Sequence, residues 1–394
     1  SEMCIRDSYY ASLGHTNNEG ILVGDQFCAT RARISLDTEI TKWLNVGMNA
    51  QFVHKGSDGI KADASAAKAM SPFGDVYEAD GTIKVRPWND NRTANPLLAH
   101  SVDEKYYRLQ NLTASAFGKL TLPFGFTWQT SFNVRYGWKK DYYFDSDIKP
   151  GVVAGGKAKR LDYSDYEWSI DNMLKWNKKF GKHSFDFTGL VNWEKFQRWK
   201  TIAKNQAFQP SDNLGFGGIG YGTSPSVDAN DVYRTGDALM GRLHYSYDNR
   251  YLLTATVRRD GYSAFGQANP HAVFPSVALG WVFTEESFWK NWNADWFEYG
   301  KLRFTYGENG NRSIGEYAAL MQLEPRKYMY VDPATGQLVN INTFYCYNMA
   351  NPNLKWEKTT SYNVGLDFTF LNGRLSGSID AYHKSTTDLL NNRQ

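Results

Sequence analysis

Residues 361–384 read SYNVGLDFTFLNGRLSGSIDAYHK. On the first arm Tyr362, Val364, Leu366, Phe368 and Phe370 alternate with Ser361, Asn363, Gly365, Asp367 and Thr369. Side chains of a strand point alternately to opposite faces, so this arm has one greasy face and one wet face. Asn372-Gly373 supplies a tight turn, since both residues accept positive φ. The return arm sets Leu375, Gly377, Ile379 and Ala381 against Ser376, Ser378, Asp380 and Tyr382. One hairpin of this kind also suits a half-buried sheet in a soluble sandwich.

The pattern recurs. Residues 32–38 pair with Leu44, Val46, Met48, Ala50 and Phe52; Leu112, Ala114, Ala116, Gly118 and Leu120 pair with Phe126, Trp128, Thr130, Phe132, Val134 and Tyr136. Trp168, Ile170, Leu174 and Trp176 precede Phe185, Phe187, Gly189, Val191 and Trp193; Leu243, Tyr245 and Tyr247 precede Leu253, Ala255 and Val257. Val277, Leu279, Trp281 and Phe283 lead through a helical turn at 285–292 to Leu302, Phe304 and Tyr306. With a strand at 9–13, about 13 strands are predicted. Short links alternate with long ones, at about 53–105, up to 161, up to 236, and a last loop of about 50 residues before the opening hairpin.

Several structureless loops on one side do not suit a compact soluble domain. They suit an all-β transmembrane antiparallel barrel with short periplasmic turns and long extracellular loops. In hydrocarbon every backbone polar group must be paired within the sheet, the apolar face meets lipid and the polar face lines the lumen. An Arg or Lys on the lipid face would cost about 2–4 kcal/mol, and the outward positions carry none. The lumen-facing set predicted from the alternation is Arg135, Asp186, Arg242, His244, Arg258, Arg303, Asp367 and Asp380. Trp43, Trp176, Trp193, Trp281, Trp289 and Tyr382 suit interfacial girdles. No run of 18 apolar residues makes a transmembrane helix, and a net charge of +3 gives no nucleic-acid signature. Cys4, Cys28 and Cys346 have neither disulfide nor zinc spacing. Ser1 to Ser8 (SEMCIRDS) read as non-native, adapter-like residues, and residues 391–394 as a cut, so the chain is expected to be a fragment.

Four stretches carry a resemblance: GRLHYSYDNRYLLTATVRRDGYSAFG at 241–266, FPSVALGWVFTEESF at 274–288, KLRFTYGENGN at 301–311 and NPNLKWEKTTSYNVGLDFTFLNGRLSGSIDAYHKSTTDLL at 351–390. Residues 77–99 and 171–194 add to it. Together they resemble the SusC/RagA family of TonB-dependent outer-membrane transporters of Bacteroidetes. The resemblance implies a plugged 22-stranded barrel class, of which residues 9–394 are part. The plug domain, TonB box and closing strands are expected outside that stretch. It implies import of an oligosaccharide or peptide ligand, a SusD-like surface lipoprotein as partner, and energy from the TonB–ExbB–ExbD complex through the N-terminal region. It implies no cofactor.

No catalytic or metal site is predicted. Residues 215–220 (GFGGIG) match a dinucleotide pattern but lack its strand and helix context. Residues 75–81 (DVYEADG) lack alternate calcium ligands and read as a turn at Asp80-Gly81. Glu285-Glu286 sit in a short turn, where acids favour a helix start. Loop candidates for ligand contact are Trp88, Asn89, Asn91, Arg92, Tyr345, Tyr347 and Asn348, aromatic faces beside planar polar groups. The rival readings are a passive or adhesive barrel without a plug, an outer-membrane enzyme, and a soluble all-β carbohydrate-binding protein.

Overall fold

The computed structural model describes residues 7–88, 92–209, 211, 213–292 and 296–391. Its strands are β1 (Asp7–Glu19), β2 (Gln26–Thr41), β3 (Leu44–Gly56), β4 (Glu104–Thr121), β5 (Phe126–Asp145), β6 (Lys157–Phe180), β7 (His183–Gln206), β8 (Ser226–Ala229), β9 (Val232–Tyr247), β10 (Tyr251–Tyr262), β11 (His271–Val282), β12 (Phe297–Asn311), β13 (Gln322–Val331), β14 (Leu338–Asn348), β15 (Glu357–Phe370) and β16 (Leu375–Thr387). One antiparallel sheet follows chain order from β1 to β7, then β9 to β12, then β15 and β16; β8 hangs from β7, and β13 pairs with β14 alone. The 13 strands of the main path equal the number read from the alternation.

At one end of the sheet the links are 42–43, 122–125, 181–182, 248–250, 371–374 and 283–296, the last holding a short helix (Ser287–Lys290). Their residues fit tight turns. Asp248 and Asn249 both take φ near +54°, and Asn372 and Gly373 take +56° and +76°, the paired positive φ of a type I′ turn. Phe124 adopts φ +65°, and the Trp176 indole N–H donates to its carbonyl at 3.1 Å. At the other end lie 57–103, 146–156, 207–231 and 312–356, with two brief links, 20–25 and 263–270.

Two expectations are corrected here. The links around 146–156 and 207–231 are shorter than read, because β6 and β7 each run for 24 residues. The last loop is not structureless, since β13 and β14 form a hairpin within it.

Register gathers the apolar positions onto one face. Leu279, Phe304, Val364 and Ala381 stand abreast across four strands, as do Gly189, Gly241, Val257 and Pro275. This face is open: Ile34 is 55% exposed, Val257 54% and Val364 53%. Such a surface is unfavourable in water, and among the described residues no second sheet covers it. The apolar band ends sharply. Above Trp138, Trp193, Leu239, Val257 and Tyr306 the next residues on the same face are Lys140, Lys195, Asp237, Arg259 and Glu308. Five alternating positions span about 27 Å along a strand, or about 20 Å after a tilt of about 40°. With the aromatic rows at its borders this approaches the apolar band of about 25 Å of a barrel with tilted strands.

Aromatic rings rim the band at the short-link end. Trp281 lies edge-on to Phe283, Trp289 to Phe297, and Trp296 stacks on Phe370. Tyr382 does not join them: it pairs with Asn363 on the opposite, polar face, as its alternation with Ala381 requires. Buried apolar residues gather instead at the long-link end. Tyr262, Ala264, Phe265, Phe274 and Trp356 form one cluster, and Phe144, Ala158 and Phe208 another. The GFGGIG stretch is a 3-10 turn whose Phe216 and Ile219 pack on the second cluster.

Candidate functional site

The other face of the sheet is a ladder of paired polar groups. Arg135 bridges to Asp165 and reaches Glu167 at 3.9 Å. Asn133 and Asn192 both donate to Asp171, at 3.2 and 2.8 Å. Arg258 grips Asp260 with Nε and Nη2 at 2.8–2.9 Å. Arg303 forks onto Asp367 at 2.8 and 2.9 Å and touches Asp380 at 3.1 Å. His244 meets the Thr254 hydroxyl at 2.8 Å, and Arg242 stands exposed between Thr188 and Thr256. Every charged residue read into the polar set therefore lies on this one face. Such pairing keeps a charged wall close to neutral while leaving many donors and acceptors available.

The loop candidates are spread over two links. Trp88 and Arg92 are exposed in the 57–103 link; Asn89 and Asn91 lie outside the described residues. Tyr345 on β14 stands opposite Glu324, Tyr347 sits where the register of that strand shifts, and Arg326 stacks over the Tyr345 ring at 4.3 Å. Asn348 is occupied: its amide donates to the carbonyls of Ala318 and Leu320 at 3.1 and 3.0 Å, pinning the base of the hairpin. Asp80 turns back onto the Thr82 amide and hydroxyl, as a turn residue should. Glu286 takes bonds from Tyr251, Trp281 and Arg250, and Glu285 pairs with Lys290. Among the described residues no group of His, Cys, Asp and Glu is arranged to hold a metal.

Sequence reasoning missed the cavities at the long-link end of the polar face. One, of 330 Å³, lies among Glu167, Glu194, Arg234, Tyr262 and Arg312. Its neighbour, of 270 Å³, is lined by Asn192, Glu194, Arg258, Asp260, Arg312 and Trp356. Arg312 stands just past β12 and pairs with Glu194 on β7, 118 residues earlier. No local pattern could have joined them. An apolar groove of 540 Å³ on the opposite face, among Leu253, Leu279, Leu302 and Phe304, lies within the apolar band.

A family profile described as TonB dependent receptor-like, beta-barrel matches residues 54–394. The chain belongs to this family. It is 30% identical over 418 residues to the TonB-dependent receptor SusC of Bacteroides thetaiotaomicron, covering 97% of this chain and 40% of that protein. It is 29% identical over 405 residues to the TonB-dependent receptor P3 of Formosa agariphila, covering 97% and 38%. Its fold matches the RagAB peptide transporter with a TM-score of 0.79 at 21% identity, covering 98% of this chain and 43% of that one. The ferric citrate transporter FecA matches with a TM-score of 0.52 at 8% identity, covering 96% and 46%. The chain thus spans about two fifths of the length of these curated relatives. It is part of an outer-membrane β-barrel of this family, so the apolar face is the lipid face and the short links are the periplasmic turns.

Proposed function

We propose that this chain forms part of the wall of a TonB-dependent nutrient importer taking up an oligosaccharide or a peptide. A SusD-like surface lipoprotein delivers the ligand, and the TonB–ExbB–ExbD complex supplies energy. The plug and the TonB-contacting segment belong to the rest of the protein, and residues 9–394 to the barrel. The relatives bear the name of TonB-dependent receptors, and the role proposed is transport without catalysis.

The observation that carries this reading is the polar ladder opposite an apolar lipid face. Arg135, Arg242, His244, Arg258, Arg303, Asp367 and Asp380 line the path. Trp88, Arg92, Tyr345 and Tyr347 are the proposed ligand contacts at its mouth, with Asn348 holding the base of their hairpin, and Asn89, outside the described residues, is proposed with them. A wall of short-range ion pairs offers weak, repeated contacts, which lets a cargo enter and leave.

The test is uptake by the native strain. Deleting this gene, its neighbouring lipoprotein gene, or tonB should each abolish growth on one large nutrient. Growth that survives loss of tonB but not loss of this gene would replace the proposal with a passive barrel.

A further inference from the structure

We propose that the two polar cavities flanking the Arg312–Glu194 ion pair are halves of one binding site for a neutral oligosaccharide, with that pair as the movable divider. The inference rests on the transport reading and deepens it.

The cavities, of 330 and 270 Å³, share the side chains of Glu194 and Arg312. The ion pair is therefore the wall between them. Each half alone is at or below the small end of ligand sites; joined, they fall within the ordinary range. The divider is suited to moving. Arg312 is half exposed and sits on a link, not a strand, while Glu194 is fixed on β7. A half-exposed pair contributes little net stability, so a ligand that replaces its hydrogen bonds can part it.

The chemistry selects against ions. Glu194 faces Arg312, Asp260 faces Arg258, Glu167 faces Arg135, and Arg234 faces Glu316 at 3.1 Å. The linings themselves carry four acids, Glu167, Glu194, Asp237 and Asp260, against four bases, Lys195, Arg234, Arg258 and Arg312, and so offer no net charge to hold a charged ligand. Asn192, Glu194 and Asn311 each hold a protein partner but keep further hydrogen-bonding capacity on planar groups, suited to paired hydroxyls, beside the ring of Tyr262. Few apolar side chains line either half, which disfavours the mixed side chains of a peptide.

Trp356 supplies the independent observation. It is 4% exposed, lines the smaller half and stacks on Phe265 at 4.7 Å. Its indole N–H has no hydrogen-bond partner. A buried donor without an acceptor is costly and uncommon. A sugar oxygen entering the smaller half supplies that acceptor after a small shift of the ring.

The experiment uses the complete transporter in nanodiscs, with neutral glucose, mannose and xylose oligosaccharides of four to six units and neutral peptides of the same length as probes. Binding is read by calorimetry and by tryptophan fluorescence. One oligosaccharide set is expected to bind, tenfold or more weaker in Trp356→Phe and in the double variant Arg312→Gln/Glu194→Gln. Barrel integrity in each variant is checked by heat-dependent gel mobility. Saccharide binding unchanged in both folded variants overturns the site. Binding of peptides alone overturns the ligand class and leaves the transport reading standing. No binding of either set, by protein that still supports TonB-dependent uptake, also overturns the site. Loss of TonB dependence in cells fails the transport reading instead.

Discussion

A single carboxylate ties together the periplasmic turns around β10 and β11. Glu286 accepts from the Tyr251 hydroxyl at 2.5 Å, the Trp281 indole at 3.1 Å and Arg250 at 3.0 Å. The Tyr251 and Trp281 bonds, with Arg250 nearby, hold its carboxyl below the ordinary 4.5. A depressed acid stabilises the fold above its unfolded value, and that contribution is lost as pH falls through the folded value. Protection of the Val282 amide against exchange, relative to the intrinsic rate at each pH, should therefore fall below pH 4.5, since its N–H bonds the Arg250 carbonyl, and Glu286→Gln should flatten that dependence. An unchanged profile in the variant would remove Glu286 from the account. On the lipid face, Thr130 and Asn172 form a 2.8 Å hydrogen bond between neighbouring strands. Thr130→Val should cost about 1–2 kcal/mol by leaving an amide oxygen short of a donor in lipid, while Thr130→Val/Asn172→Leu should recover most of it. Unfolding from liposomes in urea reads both. The alternation placed Thr130 on this face, but a partner 42 residues away is invisible to a local pattern.

At the scale of elements, legibility followed the membrane. Where one face meets lipid, alternation is enforced, and β2 to β5 and β9 to β12 were readable from it. Above the band both faces are wet, so the upper halves of β6 and β7 carry Lys157, Lys159, Arg160, Lys200 and Lys204 with no period to detect. The β13–β14 hairpin escaped for a related reason: Pro325 and Phe344 stand on one face, Tyr328 and Ile341 on the other, so neither face reads as the apolar one. The band makes a depth prediction. Leu279, between Leu253 and Phe304, is near its middle. Leu279→Arg should destabilise by about 2–4 kcal/mol, whereas Ala278→Arg on the polar face should cost well under half of that. A larger loss for the polar-face variant in liposome unfolding would mean that the faces are assigned the wrong way round, and equal losses that neither faces lipid at this depth.

At the scale of the whole molecule the decisive features are the two borders of the sheet. Among the described residues β1 pairs with β2 and β16 with β15, and each has a free outer side. Every residue of β16 is exposed, including Leu375 at 53% and Ile379 at 64%. In lipid an unpaired strand border is untenable, because each unmet backbone group costs several kcal/mol. We propose that other strands of the barrel cover both borders in the membrane; the chain spans about two fifths of the length of its curated relatives. The ladder of Arg303, Asp367 and Asp380 points the same way. Arg303 serves two carboxylates and Asn363 has an acceptor buried without a partner, so the polar face is charge-unbalanced where β16 ends the sheet. Residues 7–391 expressed alone should therefore give mixed oligomers in detergent, without the heat-dependent gel shift of a closed barrel. Within the complete protein the outer amides of β1 and β16 should exchange orders of magnitude more slowly than in the isolated chain. Equal exchange in the two would mean that these borders are edges in the native barrel as well, and the lipid face would then have to end there.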